Sequence, residues 1–288
     1  ELNIKTYDCQ NSQIIQNEFI EQLMNEGYPL LIINPVDRLS VYAIIEKAIQ
    51  TNTTIIFINR EPLAEDMNLS DSLYYVGAQG IQSAELQAEI VMELFGNNPY
   101  QLNQFDKNGD GIIQTVILKG EQGHQDAEAR TKYVIDTLED ENYQVEVLDV
   151  VIANFDTDLA YVAMNQMIAK YGDLIEVVLS NNDAMALGAI EALKENEYFI
   201  DDNEDGIIDR DTETWLPVIG IDGLDIAIKQ IEDGYLYGTV LNDSQQMADA
   251  IYQLSMALLI DKSIDGYEFT ITDDQYVWID YKKLIFDN

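Results

Sequence analysis

From its first residues the chain alternates short apolar, β-branched runs with amphipathic stretches of helical period. The runs Leu2–Tyr7, Pro29–Asn34, Thr53–Asn59, Leu73–Gly77, Ile112–Lys119, Tyr143–Val151, Ile175–Ser180, Leu216–Ile221 and Leu236–Leu241 read as strands. Helical patterns lie between them, over Asn11–Asn25, Val36–Gln50, Asp126–Leu138, Asp156–Tyr171, Ala184–Glu195, Leu224–Asp233 and Gln245–Leu259. In the first, Ile15, Phe19 and Leu23 stand four apart and so share one helix face. After Gly77, Ile81, Ala84, Ala88, Val91 and Phe95 form another such stripe. Regular β–α alternation predicts parallel sheets covered by helices on both faces, an α/β doubly wound architecture.

At 288 residues the chain is long enough for two domains with cores of their own. The break is expected near Gly77–Ala78, before a long helix. The first half alone has few strands for an open sheet, so the chain is expected to return to the first domain after Leu241. This gives one domain from residues 1–77 with 243–272, and a second from 78–242 with 273–288.

The formal net charge is −38, from 53 acidic and 15 basic residues. So negative a surface repels nucleic acid and anionic lipid and attracts cations. No apolar run approaches the roughly 18 residues of a membrane-spanning helix. One cysteine, Cys9, excludes an internal disulfide and a cysteine-based zinc site. One histidine, His124, excludes chemistry that needs two imidazoles.

Residues 106–117 read DKNGDGIIQTVI, nearly an EF-hand calcium loop. Asp106, Asn108, Asp110, Gly111, Ile112 (by its carbonyl) and Gln114 fill positions 1, 3, 5, 6, 7 and 9. Position 12, where an EF-hand has a bidentate Glu, is Ile117. A calcium ion here needs its last carboxylate from elsewhere in the chain. A second loop repeats the spacing with Asp201, Asn203, Asp205, Gly206, Ile207 and Asp209. Its position 12 is Thr212, flanked by Asp211 and Glu213. An acidic surface turn is the plain alternative for each loop.

In an open parallel sheet, ligands bind beyond the carboxyl ends of the strands. The run Ile112–Lys119 leads there into GEQGHQDAEAR, which carries His124, Asp126 and Arg130. Asp126 and Arg130 stand four apart and so share a helix face. An acceptor-only carboxylate beside a donor-only guanidinium suits hydroxyl groups, which both donate and accept. By spacing alone an ordinary surface ion pair fits as well. Other strand ends carry Asn59, Asn182, Asp222 and Asn242. Each is also a natural helix N-cap. Phe155 follows the run Tyr143–Val151 and offers a ring for an apolar C–H face, or simply for the core. There is no phosphate-binding GxGxxG or P-loop.

Taken together, these motifs resemble the galactose/glucose-binding protein family, sugar receptors of ABC importers. The resemblance covers nearly the whole chain. It is carried by INREP at 58–62, YYVG at 74–77, DKNGDGIIQ at 106–114, LKGEQGHQDAEAR at 118–130, SNNDAMALGA at 180–189, GID at 220–222 and GTVLND at 238–243. It implies two type I periplasmic-binding-protein lobes joined by a hinge, with a hexose held in the cleft, where ligand favours the closed form. Asn59, His124, Asp126, Arg130, Asn182, Asp222 and Asn242 would hydrogen-bond the sugar, with Phe155 where the family has a stacking Trp. Structural calcium would sit on Asp106, Asn108, Asp110, Ile112, Gln114 and, bidentate, Glu176.

The resemblance also implies no enzymatic activity, a monomer outside the cytoplasm, free or lipid-anchored, and delivery to an ABC permease, with a chemoreceptor as a further partner. Another monosaccharide, or a role as the sugar-sensing domain of a regulator, are the alternatives. The family's first strand and helix have no counterpart in residues 1–288. The Asp201–Thr212 loop is an insertion, and calcium there rests on spacing alone.

Overall fold

The computed structural model describes residues 3–261, 263 and 266–285. Its strands, in chain order, are β1 (Leu30–Ile33), β2 (Thr54–Ile58), β3 (Leu73–Gly77), β4 (Ile112–Lys119), β5 (Gln144–Ile152), β6 (Val177–Ser180), β7 (Val218–Ile219), β8 (Thr239–Leu241), β9 (Tyr276–Trp278) and β10 (Lys282–Leu284). The α-helices are α1 (Gln13–Asn25), α2 (Tyr42–Thr51), α3 (Ala64–Met67), α4 (Gly80–Leu94), α5 (Gln125–Asp140), α6 (Thr157–Tyr171), α7 (Asp183–Glu195), α8 (Asp225–Glu232) and α9 (Ser244–Met256). The chain divides into two compact units, residues 1–78 with 244–279 and residues 79–243 with 280–288.

In the first unit the sheet order is β1-β2-β3-β9, all parallel. Its central strands are apolar on both faces, as strands covered by helices on each side must be. Ile55, Phe57, Leu73 and Tyr75 pack with Ile20 and Met24 of α1 and Ile44, Ile45 and Ala48 of α2. Ile56, Val76 and Val277 point the other way, against Ala250 and Leu254 of α9. Ser12 caps α1 by accepting the N–H of Ile15, and Gly27, at φ 82°, lets the chain turn after it.

The expected strand at Leu2–Tyr7 is not formed. Leu2 lies outside the described residues, and residues 3–9 run without strand pairing. Residues 3–9 do not pair with β1, which is therefore left as an edge strand. Between residues 3–11, β1, α1 and α9 lies a cleft of about 960 Å³. Residues 273–279, expected with the second domain, belong to the first unit because β9 pairs with β3 there.

The second unit has the parallel order β5-β4-β6-β7. Bridges from Ile219 to Gly238 and from Asp222 to Leu241 continue it to β8, on which β10 lies antiparallel. Val116 and Leu118 of β4 join a core with Met164 and Met167 of α6 and Met185, Ala189 and Leu193 of α7. The pairs β4–β5 and β4–β6 align the carboxyl ends of these strands, so the loops after Lys119, Ser180, Ile219 and Leu241 gather at one end of this unit.

Candidate functional site

At that end, α5 begins one short loop after β4. His124 is its N-cap, and its Nδ1 accepts the backbone N–H of Asp126 at 3.2 Å. In a neutral imidazole, an accepting Nδ1 leaves Nε2 as an N–H donor. One turn further on, Arg130 is buried at 4 % exposure. Its Nε donates to Ser83 Oγ (3.2 Å), Nη1 to the carbonyl of Asn181 (2.8 Å) and Nη2 to Tyr281 Oη (2.9 Å). Three elements thus fix the guanidinium, which burial would discharge but the surrounding negative groups hold firmly protonated.

Asp126 and Asp222 flank it, at 3.8 Å from Nη2 and 3.7 Å from Nη1. These separations are ion-pair contacts but too long for hydrogen bonds. Asp126 is 7 % exposed, so the ordinary surface pair that the spacing allowed is not what forms. Burial, opposed by Arg130 and aided by Asp183 and Asp126, pushes the Asp222 carboxyl up to about 7. Asp222 also holds φ 131°, a backbone region L-residues rarely adopt and often a mark of functional sites.

Asn242 follows β8, and its N–H donates to the Asp222 carbonyl at 2.9 Å. Its side-chain Oδ1 is buried and has no hydrogen-bond partner among the described residues. Asn182 does cap α7, accepting the N–H of Met185 at 2.9 Å. Its Nδ2 remains as a donor. Phe155 also sits at positive φ, 60°, with its ring edge-on to His124 at 5.2 Å between centroids. A Cβ on Gly120 would overlap that ring, so glycine is needed to let the ring lie against the loop after β4. The second unit therefore brings together His124, Asp126, Arg130, Phe155, Asn182, Asp222 and Asn242. Asn59 belongs to the first unit, exposed at the end of β2 with φ 61° and its carbonyl accepting Tyr75 Oη.

Sequence reasoning did not find Ser83, Asn181 and Tyr281, which hold Arg130, or Asp183. Tyr281 lies 151 residues from Arg130 and has no local pattern to mark it. Asp183 was visible beside Asn182 as a helix-start acid.

The loop before β4 is tied to β6. Glu176 is 1 % exposed, and its Oε1 accepts the N–H of Lys107 (2.6 Å) and Oε2 that of Gln114 (3.1 Å). Burial pushes this carboxyl up, against the pull of those two N–H groups. Asp106 accepts from the backbone of Gly109 and Gly111, Asn108 from Asp110 and Asp110 from Ile112. The amide nitrogens of Asn108 and Gln114 both donate to Asp110 Oδ2, at 3.0 Å.

The loop at 201–209 repeats three of these backbone bonds. Asp201 accepts from Gly206, Asn203 from Asp205 and Asp205 from Ile207. Glu213 Oε1 accepts the N–H of Asp202 (2.9 Å) and Oε2 that of Asp209 (2.8 Å). In both loops one glutamate spans the N–H groups of positions 2 and 9. Among the described residues, no three His, Cys, Asp or Glu side chains gather closely enough to hold a metal ion. In the first loop two side-chain positions are amides and one position is a carbonyl, and the carboxylates are turned onto backbone N–H groups.

A family model described as a periplasmic binding protein domain matches residues 1–263. The chain belongs to the periplasmic binding protein family. As a member it is a substrate-binding protein, not an enzyme. It is 37 % identical over 284 residues to a D-galactose/methyl-galactoside binding periplasmic protein of Haemophilus influenzae, covering 98 % of this chain and 79 % of that one. Among solved structures, an ABC transporter solute binding protein from Bacillus halodurans with bound myo-inositol is 26 % identical with a TM-score of 0.73, over 96 % of this chain and 82 % of that one. One from Actinobacillus succinogenes with bound D-allose matches at 17 % identity and a TM-score of 0.77, over 99 % and 86 %; at that identity it speaks for the fold alone. The type I two-lobed α/β fold expected from the motifs is the fold of the family.

Proposed function

We propose that this chain is an extracytoplasmic receptor for a neutral monosaccharide, D-galactose or D-glucose, which it delivers to a membrane ABC importer. The observation that carries the reading is Arg130 flanked by Asp126 and Asp222 at ion-pair rather than hydrogen-bond distance. The two carboxyl groups that flank the guanidinium, the orphan Oδ1 of Asn242 and donors at Arg130 and Asn182 alternate in kind around one spot, with His124 beside them. A sugar hydroxyl donates one bond and accepts others, so a ring with several hydroxyls satisfies both sets at once. A phosphate or carboxylate ligand would face the carboxyl groups of Asp126 and Asp222. The Phe155 ring adds an apolar surface of the kind a pyranose C–H face covers. The likeness to the Haemophilus influenzae protein favours galactose among the hexoses.

Calorimetric titration with D-galactose, D-glucose and D-ribose tests the reading: saturable heat with a hexose is expected. Absence of heat with all three would overturn it.

The proposal includes calcium as a structural ion. Asp106, Asn108, Asp110, the Ile112 carbonyl, Gln114 and Glu176 would hold it in the first loop, all oxygen donors as a hard cation prefers. The second loop would use Asp201, Asn203, Asp205, the Ile207 carbonyl and Asp209, with Glu213 in the part of Glu176. Calcium in the first loop would pin the loop before β4 to the start of β6.

A further inference from the structure

We propose that Asp183, a residue with no contact role in sugar recognition, is the positioning residue that sets the geometry of Asp222 and Asn242. The inference rests on the sugar-site reading above and adds to it a residue that acts through others.

Asp183 is fully buried at the start of α7, directly after Asn182. A buried carboxylate is costly unless its oxygens are fully engaged. Those of Asp183 are. Oδ2 accepts the N–H of Gly223 at 2.7 Å and of Leu224 at 2.9 Å. Oδ1 accepts the hydroxyl of Thr239, on β8, at 2.6 Å. The backbone N–H of Asp183 donates to the Ile221 carbonyl at 2.7 Å. The residues on either side of Asp222 are thus clasped by one residue.

The clasp has a specific consequence. Asp222 sits at φ 131° and Gly223 at φ 75°, a turn that unsupported backbone would not keep. On its other side the backbone of Asp222 pairs with Val240 and Asn242, and β8 is held to Asp183 through Thr239. One carboxylate therefore fixes Asp222, the strand that leads to Asn242, and, through the chain, Asn182. Space is reserved for it: a Cβ on Gly220 would overlap Asp183 Oδ1. The arrangement matches what a preorganised site requires, ligand-contacting groups locked by bonds behind them.

The test is a double-mutant cycle read by calorimetry with D-galactose on the whole chain. Asp183→Asn keeps the size but replaces an acceptor by an N–H₂ group. It is expected to raise Kd at least tenfold. Thr239→Val, which removes one donor only, is expected to raise Kd three- to tenfold, and it decides the matter if Asp183→Asn does not fold. In an Asp222→Asn background, either change is expected to raise Kd by a clearly smaller factor than in wild type, because one of the groups it positions is already altered while Asn242 still feels the change. Equal effects in both backgrounds would mean a merely structural role and would overturn the inference. So would a Kd within twofold of wild type for Thr239→Val. If instead Asp222→Asn itself binds galactose like wild type, the sugar-site reading has failed, and not the clasp alone.

Discussion

Glu176 stands 62 residues beyond Gln114, yet its carboxylate accepts the Gln114 N–H at 3.1 Å and the Lys107 N–H at 2.6 Å. The loop that lacks a twelfth-position glutamate thus has one delivered by the neighbouring strand end. If calcium binds there, it binds only the folded protein and raises stability by mass action. Millimolar calcium should raise the melting temperature of wild type, and chelator should reverse it. Glu176→Ala should lose most of that response. A calcium response unchanged by the substitution would remove Glu176 from the ligand set.

Glu213 repeats the relationship over the loop at 201–209. Two calcium ions per chain are expected in equilibrium dialysis of wild type, and one in Glu213→Ala. A stoichiometry of one in both would leave the second loop a self-satisfied acidic turn.

The raised Asp222 carboxyl has a consequence for stability. Its folded pKa is about 7, against an ordinary value of 3.8, so between these values the folded chain holds a proton that the unfolded chain has released. Stability from this group is therefore present below about pH 4 and is lost as pH rises toward 7, with a slope of up to ~1.4 kcal/mol per pH unit. The side chain is 27 % exposed, and solvent tempers that slope. Chemical denaturation of sugar-free protein at pH 4.5, 6 and 7.5 should show Asp222→Asn gaining on wild type as pH rises. A constant difference across the three would show that Asp222 titrates normally.

Gly120 lies where a Cβ would overlap the Phe155 ring. Gly120→Ala should displace the ring, costing about 1–3 kcal/mol of stability as overpacking does and weakening hexose binding. Unchanged melting and unchanged Kd would show that the ring moves without cost.

Much of this was legible in the sequence because it is local. Strand–helix alternation marked β1, β3, β4 and β6 and the helices that follow them, while the four-residue α3 after β2 was too short to show a period, and the four-residue spacing placed Asp126 and Arg130 on one face. The burial of that pair was not legible, because it depends on Ser83, Asn181 and Tyr281, brought in from three distant segments. β9 is an apolar run of only three residues, too short to show a period, and β10 begins Lys282–Lys283, so no apolar pattern announces it. The segment Leu2–Tyr7 reads as a strand by composition, but a strand exists only with a partner, and its described residues do not pair with β1, which remains an edge. Glu213 was visible beside the second loop, but only its two backbone bonds single it out from Asp211.

The most direct measurement is the D-galactose affinity of Arg130→Met beside that of wild type. Methionine keeps an unbranched buried chain and removes the charge that Asp126 and Asp222 flank. Loss of a charged hydrogen-bonding group at a buried site costs about 1.5–3 kcal/mol or more, so Kd should rise at least tenfold, with the fold retained by circular dichroism. A folded Arg130→Met chain that binds galactose as tightly as wild type would contradict the placement of the sugar at this cluster.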